Sequence, residues 1–151
     1  MNIYINDSEV NSIDDMLEVL NQIDKDTSIS IRFNLEDGSN FKHKINCNWS
    51  ASLVVSNINE LQRYEDSDVK IILSYLYVVG GSIASIDDPC MDDILDRCMG
   101  QFDNPEDAAM YYLESMGYRI SPNSFLYNYI DFEKLVDELF NVIDNYYFYV
   151  D

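Results

Sequence analysis

The sequence predicts an α+β fold: a small strand–helix–hairpin unit followed by an acidic, mainly helical unit with a closing strand. Alternating apolar residues in 29–45, divided by Asp37-Gly38, are typical of a β-hairpin. Apolar residues at helical spacing follow Ser12, and Asn104-Pro105 is a strong helix start. Because the composition becomes more acidic after Gly81, we expect two domains, residues 1–86 and 87–151.

The first half alternates strands and helices. Its predicted elements are a strand at 2–5, a helix capped by Ser12, hairpin strands at 29–35 and 41–45, and a helix at 68–79. In the last of these, length and the following Gly80-Gly81 favour helix over the strand that its Val, Ile and Tyr residues would suggest. Segment 50–64 is left open between helix and strand.

The second half is predicted to be mainly helical. Its elements are helices at 88–98, 105–116 and 131–141 and a closing strand at 146–150. Asn104 is the expected N-cap of the middle helix, with Pro105 at its first position and acidic residues at the positive end of its dipole. Gly117 is the expected C′ residue of the same helix.

Charge is the feature that bears most on function. Twenty-eight Asp and Glu face nine Lys and Arg, which gives a formal net charge of −19. Small soluble domains usually stay within about eight charges of zero, because self-repulsion destabilises the compact state. We interpret the excess as a field used for binding, and the partner as a protein surface built to hold nucleic acid. Residues 87–151 carry −12 of this charge and residues 1–86 carry −7.

The composition argues against several classes of partner and location. Direct nucleic-acid binding is disfavoured, because phosphates are neutralised by Lys and Arg. The longest apolar run, near 69–79, contains Lys70 and is too short to span a membrane, and anionic lipids would repel the chain. The N-terminus shows no signal-peptide pattern. Three Cys without a CxxC motif predict reduced thiols in a cytosol.

Catalytic chemistry has little support. His43 is the only histidine, and its place on the apolar face of a strand predicts a half-buried structural residue. Cys90 and Cys98 lie eight residues apart, so we expect them to share a helix face and to pack there. The densest acidic pairs, at 87–88 and 92–93, lack the pattern of a calcium loop, and no glycine-rich phosphate loop is present. The sequence therefore predicts no enzyme, no catalytic residue, no cofactor and no metal site.

Carboxylates on helices can approximate a row of phosphates. Acids three or four residues apart stand about 5–6 Å from each other on one helix face, and duplex DNA carries one charge per about 1.7 Å of axis. The acids at 92, 93 and 96 have this spacing, as do the pairs 103 with 107 and 133 with 137. The predicted phosphate-mimicking, partner-binding residues are Asp92, Asp93, Asp96, Asp103, Glu106, Asp107, Glu133, Asp137 and Glu138. Tyr111, Tyr112 and Tyr127 are candidates for added contact area, with core packing as the alternative.

Three stretches of the second half, 102–109, 126–140 and 145–150, resemble the C-terminal domain of the ArdA antirestriction proteins. In that family an acidic helix precedes a helix of the pattern YIDYE-x-A-x-DLF and an aromatic strand; residues 129–133 and 137–140 stand in that order here. The resemblance implies a mimic of bent B-DNA that occupies the DNA groove of type I restriction-modification enzymes, often as a dimer. Residues 1–86 do not resemble the family, which leaves a CRISPR effector as another target.

The leading hypothesis is an anti-defence inhibitor that mimics DNA and blocks the nucleic-acid groove of a host nuclease, with a homodimer left open. One alternative is an acidic immunity or adaptor protein that masks a single basic partner. Another is a small enzyme or metal-binding domain, which predicts that Ca²⁺ or Mg²⁺ shifts the melting temperature.

Overall fold

A computed structural model describes residues 1–79, 83 and 91–150 of the chain, with the side chains of 78 and 79 excepted. The chain divides into two compact units, Met1–Leu95 and Asp96–Asp151. The predicted division after residue 86 falls in a stretch, 84–90, that lies outside the described residues.

Unit 1 (Met1–Leu95) has an antiparallel sheet with helices on its apolar face. Its elements are β1 (Asn2–Ile5), β2 (Ser8–Val10), α1 (Ile13–Asn21), β3 (Ile29–Asn34), β4 (Asn40–Ile45), α2 (Ala51–Leu61) and α3 (Asp66–Val79), and α4 (Met91–Arg97) crosses the boundary between the units. The sheet order is β2-β1-β3-β4. The helix at 68–79 and the hairpin at 29–45 are confirmed, and segment 50–64, left open by the sequence, is helical as α2.

The first hairpin of unit 1 contains a strand that the sequence did not predict. Asn6 and Asp7 connect β1 to β2 with φ values of 46° and 68°. Both central residues of a type I′ turn need positive φ, and Asn and Asp tolerate it better than other non-glycine residues. This two-residue turn places Ser8–Val10 alongside β1.

The core of unit 1 lies between the inner sheet face and the helices. Along β3 every second residue is buried, as the alternation predicted. Phe33 of β3 and Leu20 of α1 are fully buried. His43 of β4 faces the same side and is buried rather than half-buried. Its ring packs edge-on against Phe33, with centroids 6.0 Å apart.

Unit 2 (Asp96–Asp151) pairs two helices with a small antiparallel sheet. Its elements are β5 (Cys98–Gln101), α5 (Pro105–Ser115), a 3₁₀ helix (Phe125–Tyr129), α6 (Phe132–Leu139), β6 (Phe140–Ile143) and β7 (Tyr146–Tyr149). The sheet order is β5-β7-β6. The α+β class is therefore confirmed, but the closing strand is the centre of a three-stranded sheet in the described part of this unit.

All three predicted helices of the second half end earlier than the sequence indicated, and the one expected at 105–116 stops at Ser115. The helix expected at 131–141 stops at Leu139, because residues 140–143 pair with β7. The helix expected at 88–98 stops at Arg97, and its predicted residues 88–90 lie outside the described residues. Cys98 begins β5 and so does not continue a helix face, and Cys90 lies outside the described residues.

The core of unit 2 is small and aromatic. Ala108 and Ala109 of α5 are fully buried against Val136 of α6 and the sheet residues Phe140 and Tyr147. The two alanines let α5 approach closely, and the aromatic rings fill the remaining space. Within the described residues, no helix has the length and apolar character needed to cross a bilayer.

Candidate partner-binding surface

The first turn of α5 carries two of the predicted acids. Asn104 caps the helix: its Oδ1 accepts the backbone N–H of Asp107 at 2.8 Å, and its Nδ2 donates to Asp107 Oδ2 at 3.1 Å. Glu106 and Asp107 lie where the helix dipole favours carboxylates. At the other end Gly117 has φ +90° and the Tyr118 N–H donates to the Leu113 carbonyl, which confirms the predicted glycine-capped end.

The first turn of α6 is built in the same way. Asp131 is the N-cap, and its Oδ1 accepts the backbone N–H of Lys134 at 3.0 Å. The helix is amphipathic: Val136 faces the core, whereas Glu133, Asp137 and Glu138 are exposed. Burial of the apolar side thus fixes the direction in which these three carboxylates face.

The helix α4 carries the remaining helical acids of the predicted set. Asp92 and Asp93 lie in its first turn, and Asp96 lies one turn later. All three are exposed. The Tyr64 hydroxyl donates a hydrogen bond to Asp92 Oδ1 at 2.7 Å, so this carboxylate also has a partner within unit 1.

All nine predicted binding residues are exposed, but the structure does not bring all of them to one place. Asp92 and Asp93 belong to unit 1 and the other seven to unit 2. Asp103 precedes the N-cap of α5, so the expectation that it shares a helix face with Asp107 is wrong.

The structure does bring Glu106 and Glu133 to the same groove. This groove lies between the first turns of α5 and α6 and has a volume of about 560 Å³. Its lining consists of Asn104, Pro105, Glu106, Asn128, Tyr129, Ile130, Asp131, Phe132 and Glu133. A neighbouring cavity of about 300 Å³ shares Ile130 and Asp131 with it and is bordered by Glu138. We call the larger of the two the α5–α6 groove.

Aromatic rings beside these carboxylates were not among the predicted site residues. Tyr129 and Phe132 line the α5–α6 groove, and Phe125 contacts the Tyr129 ring edge-on at a centroid distance of 6.2 Å. The signal in the sequence is a segment, 116–131, rich in aromatic residues but without helical or strand periodicity.

The three tyrosines singled out from the sequence differ in their surroundings. Tyr111 is exposed, and its ring contacts that of Phe102 in a tilted arrangement with centroids 5.3 Å apart. Tyr112 is half-buried and meets Phe140 edge-on, and Tyr127 is half-buried beside Phe132. Of these, Tyr111 offers the most surface to a partner.

Electrostatics in unit 2 are dominated by carboxylates. The unit has eleven Asp and Glu against three Lys and Arg, a net charge of −8. Burial, and after it the Asp107 carboxylate, raises the pKa of the Tyr147 hydroxyl. The ion pairs Arg32–Asp7 and Lys70–Asp37 both lie in unit 1, and none of the nine predicted acids takes part in either.

Other candidate chemical groups sit in structural positions. Burial lowers the pKa of His43, opposed by a hydrogen bond with the Leu73 backbone. Burial raises the pKa of the Cys98 thiol, because here the charged form is the deprotonated one, and a backbone hydrogen bond from Gly100 opposes this shift. Across the part of the chain that the structure describes, no three His, Cys, Asp or Glu are grouped so that they could hold a metal ion.

Comparison with known proteins yields no relative. No protein-family model, curated protein or solved structure matches the chain. The resemblance to the ArdA proteins therefore stays a prediction.

Proposed function

We propose that this protein is an anti-defence inhibitor that mimics DNA with its surface carboxylates. It blocks the nucleic-acid groove of a host nuclease, either a type I restriction-modification enzyme or a CRISPR effector. The observation that carries the proposal is the set of exposed carboxylates on α5 and α6 of a unit whose net charge is −8. In this proposal the protein acts in the bacterial cytoplasm, is not an enzyme, needs no cofactor and binds no nucleic acid itself.

The helices supply fixed positions for these charges. Each carries its acids on a face opposite a buried apolar side, Ala108 and Ala109 in α5 and Val136 in α6. The carboxylates are therefore presented on packed elements, and little conformational entropy of the backbone is lost on binding. Lys and Arg side chains that normally hold phosphates would pair with them, and Arg would do so with two parallel hydrogen bonds.

Competition is the mechanism that follows from this chemistry. The inhibitor and the nucleic acid would use the same basic residues of the target, so each excludes the other. Electrostatic steering makes association fast, and salt weakens it because the charges are exposed. The field is distributed over many residues, so we expect single neutralisations to have little effect.

The test compares two variants with equal changes in charge. The first converts Glu106, Asp107, Glu133, Asp137 and Glu138 to the matching amides. The control converts five exposed acids of unit 1, Asp14, Glu18, Asp26, Glu60 and Glu65, to amides. Cleavage of duplex DNA by a purified type I restriction enzyme and a guide-loaded CRISPR effector is measured at low and high salt.

We expect the wild-type protein to inhibit one of these enzymes in competition with DNA. The unit 2 variant should then lose inhibition by about tenfold or more, while the unit 1 control retains most of it. Equal loss in both variants would assign the effect to net charge alone. If neither enzyme is inhibited, and the tagged protein instead captures a single unrelated basic protein from a lysate, the immunity or adaptor hypothesis is favoured. Light scattering of the complex measures how many copies bind each target and whether the free protein is a homodimer.

A further inference from the structure

Unit 2 exposes aromatic side chains that its own core does not use. Phe125 is 72% exposed and Tyr129 is 81% exposed, both in the 3₁₀ helix between α5 and α6. Leu126 in the same 3₁₀ helix is also exposed, as is Tyr118 just after the end of α5. Scattered exposed apolar residues are ordinary, but a cluster of large rings on one segment marks an interaction surface.

These rings stand next to carboxylates. Tyr129 and Phe132 line the α5–α6 groove together with Glu106 and Glu133, and Asn128 adds an amide. Phe125 extends the aromatic surface beyond the groove through its contact with Tyr129. The acids have a local explanation as first-turn residues of α5 and α6. The exposed rings have none, because neither Phe125 nor Tyr129 belongs to the buried cluster of unit 2.

Contacts that imitate the phosphates of a duplex account for the carboxylates of this surface and not for its exposed rings. In a duplex the bases are stacked inside, and a protein that holds it makes most of its hydrogen bonds to the phosphates and sugars. An unpaired strand differs, because its bases are splayed out and stack on aromatic or apolar side chains while its phosphates follow a basic track. A surface with both carboxylates and rings is complementary to that second kind of channel.

We infer that the α5–α6 groove and the adjoining Phe125–Tyr129 rings dock into a channel that holds an unpaired nucleic-acid strand. The carboxylates pair with the channel's Lys and Arg, and the rings enter the apolar slots where bases would stack. This inference rests on the proposed function and narrows it: the site blocked is a single-strand channel and not a duplex groove.

The test measures displacement of two probes from each target. A fluorescent unpaired DNA oligonucleotide and a duplex of the same sequence are bound separately to a guide-loaded CRISPR effector and to a type I restriction enzyme. The inhibitor is then titrated as wild type, as Phe125→Ser/Tyr129→Ser, and as Tyr129→Phe. Tyr77→Ser is the matched control, because Tyr77 is 70% exposed and belongs to unit 1.

We expect the wild-type protein to displace the unpaired strand from one target. The concentration of the double variant needed for half-displacement should be about tenfold higher or more, because base–aromatic stacking contributes a free energy of this magnitude. Tyr77→Ser should act as wild type, and Tyr129→Phe, which keeps the ring, should lose less displacement than the double variant. Circular dichroism of each variant confirms that it is folded.

The outcomes separate the inference from the proposed function. The inference of a single-strand channel would be overturned if only the duplex were displaced, or if the double variant displaced the unpaired strand as well as wild type does. The proposed function would then still be tested by the variant that lacks five carboxylates. Failure of the wild-type protein to displace either probe from either target would overturn both.

Discussion

The Tyr64 hydroxyl donates a hydrogen bond to Asp92 at 2.7 Å, whereas Asp93, the next residue in the same helical turn, is an exposed acid of the same predicted set. These two adjacent residues, both predicted to mimic phosphates, therefore differ in what they contribute to the fold. Asp92 joins the segment after α2 to α4, and Asp93 is the natural control for it.

We expect Asp92→Ala to lower the free energy of unfolding by about 1 kcal/mol more than Asp93→Ala, because it alone removes a hydrogen-bond partner. Both variants lose one charge from the first turn of α4, so the dipole effect cancels in the comparison. Urea unfolding followed by circular dichroism measures the difference. Tyr64→Phe should reproduce the loss, and equal stability of the two Asp variants would show that the bond contributes nothing in solution.

His43 predicts a pH dependence of stability. Burial holds its pKa in the folded protein below the ordinary value of 6.5. As the pH falls through 6.5, the unfolded chain takes up a proton that the folded protein does not. The free energy of unfolding then decreases, with a slope of up to about 1.4 kcal/mol per pH unit, until the folded-state pKa is reached.

The measurement is urea unfolding of wild type and His43→Phe at about pH 7.5 and about pH 5.5. Many carboxylates titrate in both proteins, so the quantity of interest is the difference between them. We expect wild type to lose stability relative to the variant at the lower pH. A parallel change in both proteins would mean that His43 titrates normally in the folded state.

Gly117 is required by the backbone at the end of α5. Its φ of +90° is unfavourable for residues with a Cβ, although a Cβ there would meet no atom within 4 Å. Gly117→Ala should therefore destabilise the protein by about 1–2 kcal/mol through backbone strain alone. Gly117→Asn should lose less, because Asn tolerates this region. The melting temperatures of the two variants test this order, and equal losses would point away from backbone strain.

The turn between β6 and β7 offers a stabilising substitution. Asp144 and Asn145 have φ values of 49° and 66°, the positive pair that a type I′ turn requires. Asn145→Gly should raise the free energy of unfolding by less than about 1 kcal/mol, because glycine adopts this conformation without strain. The same change at Asn141 in β6 should lower it, since glycine weakens a strand. Thermal unfolding of the two variants checks the opposite signs.

The sequence predicted the long elements of the fold and the short strands β1 and β7, but it missed β2, β5 and β6. Alternation over β3 and helical spacing over α1 are strong signals because each spans enough residues to show its period. β2 has three residues, and the turns before β2 and β7 use Asn and Asp where glycine would have been the recognisable marker. Their type I′ geometry is visible only in the backbone angles.

The ends of α4 and α6 could not be read from local propensity. Phe140 continues the apolar spacing of α6, yet it begins β6 because it pairs with Tyr149 of β7. Cys98 similarly begins β5 opposite Phe148. Pairing with a distant strand overrides the helical pattern in both places.

The candidate surface was predictable in its charges and not in its shape. The positions at which α5 and α6 begin, after Asn104 and Asp131, fix where their acids lie. The sequence shows the cap and the acids of α5, and it shows the acids of α6. That Glu106 and Glu133 share a groove depends on how α5 and α6 pack through Ala108, Ala109 and Val136, which is tertiary information.

The order of strands in unit 2 constrains how this unit comes into being. β7 is the last of its three strands to leave the ribosome, yet it is the one to which both β5 and β6 are paired. More than forty residues separate β5 from Tyr146–Tyr149, so β5 has no strand partner while they are synthesised. β6 also pairs only with β7, the strand that follows it. A nascent chain that stops short of this strand would leave the aromatic residues of the unit without a sheet to cover them, and such a fragment should be a substrate for chaperones and proteases.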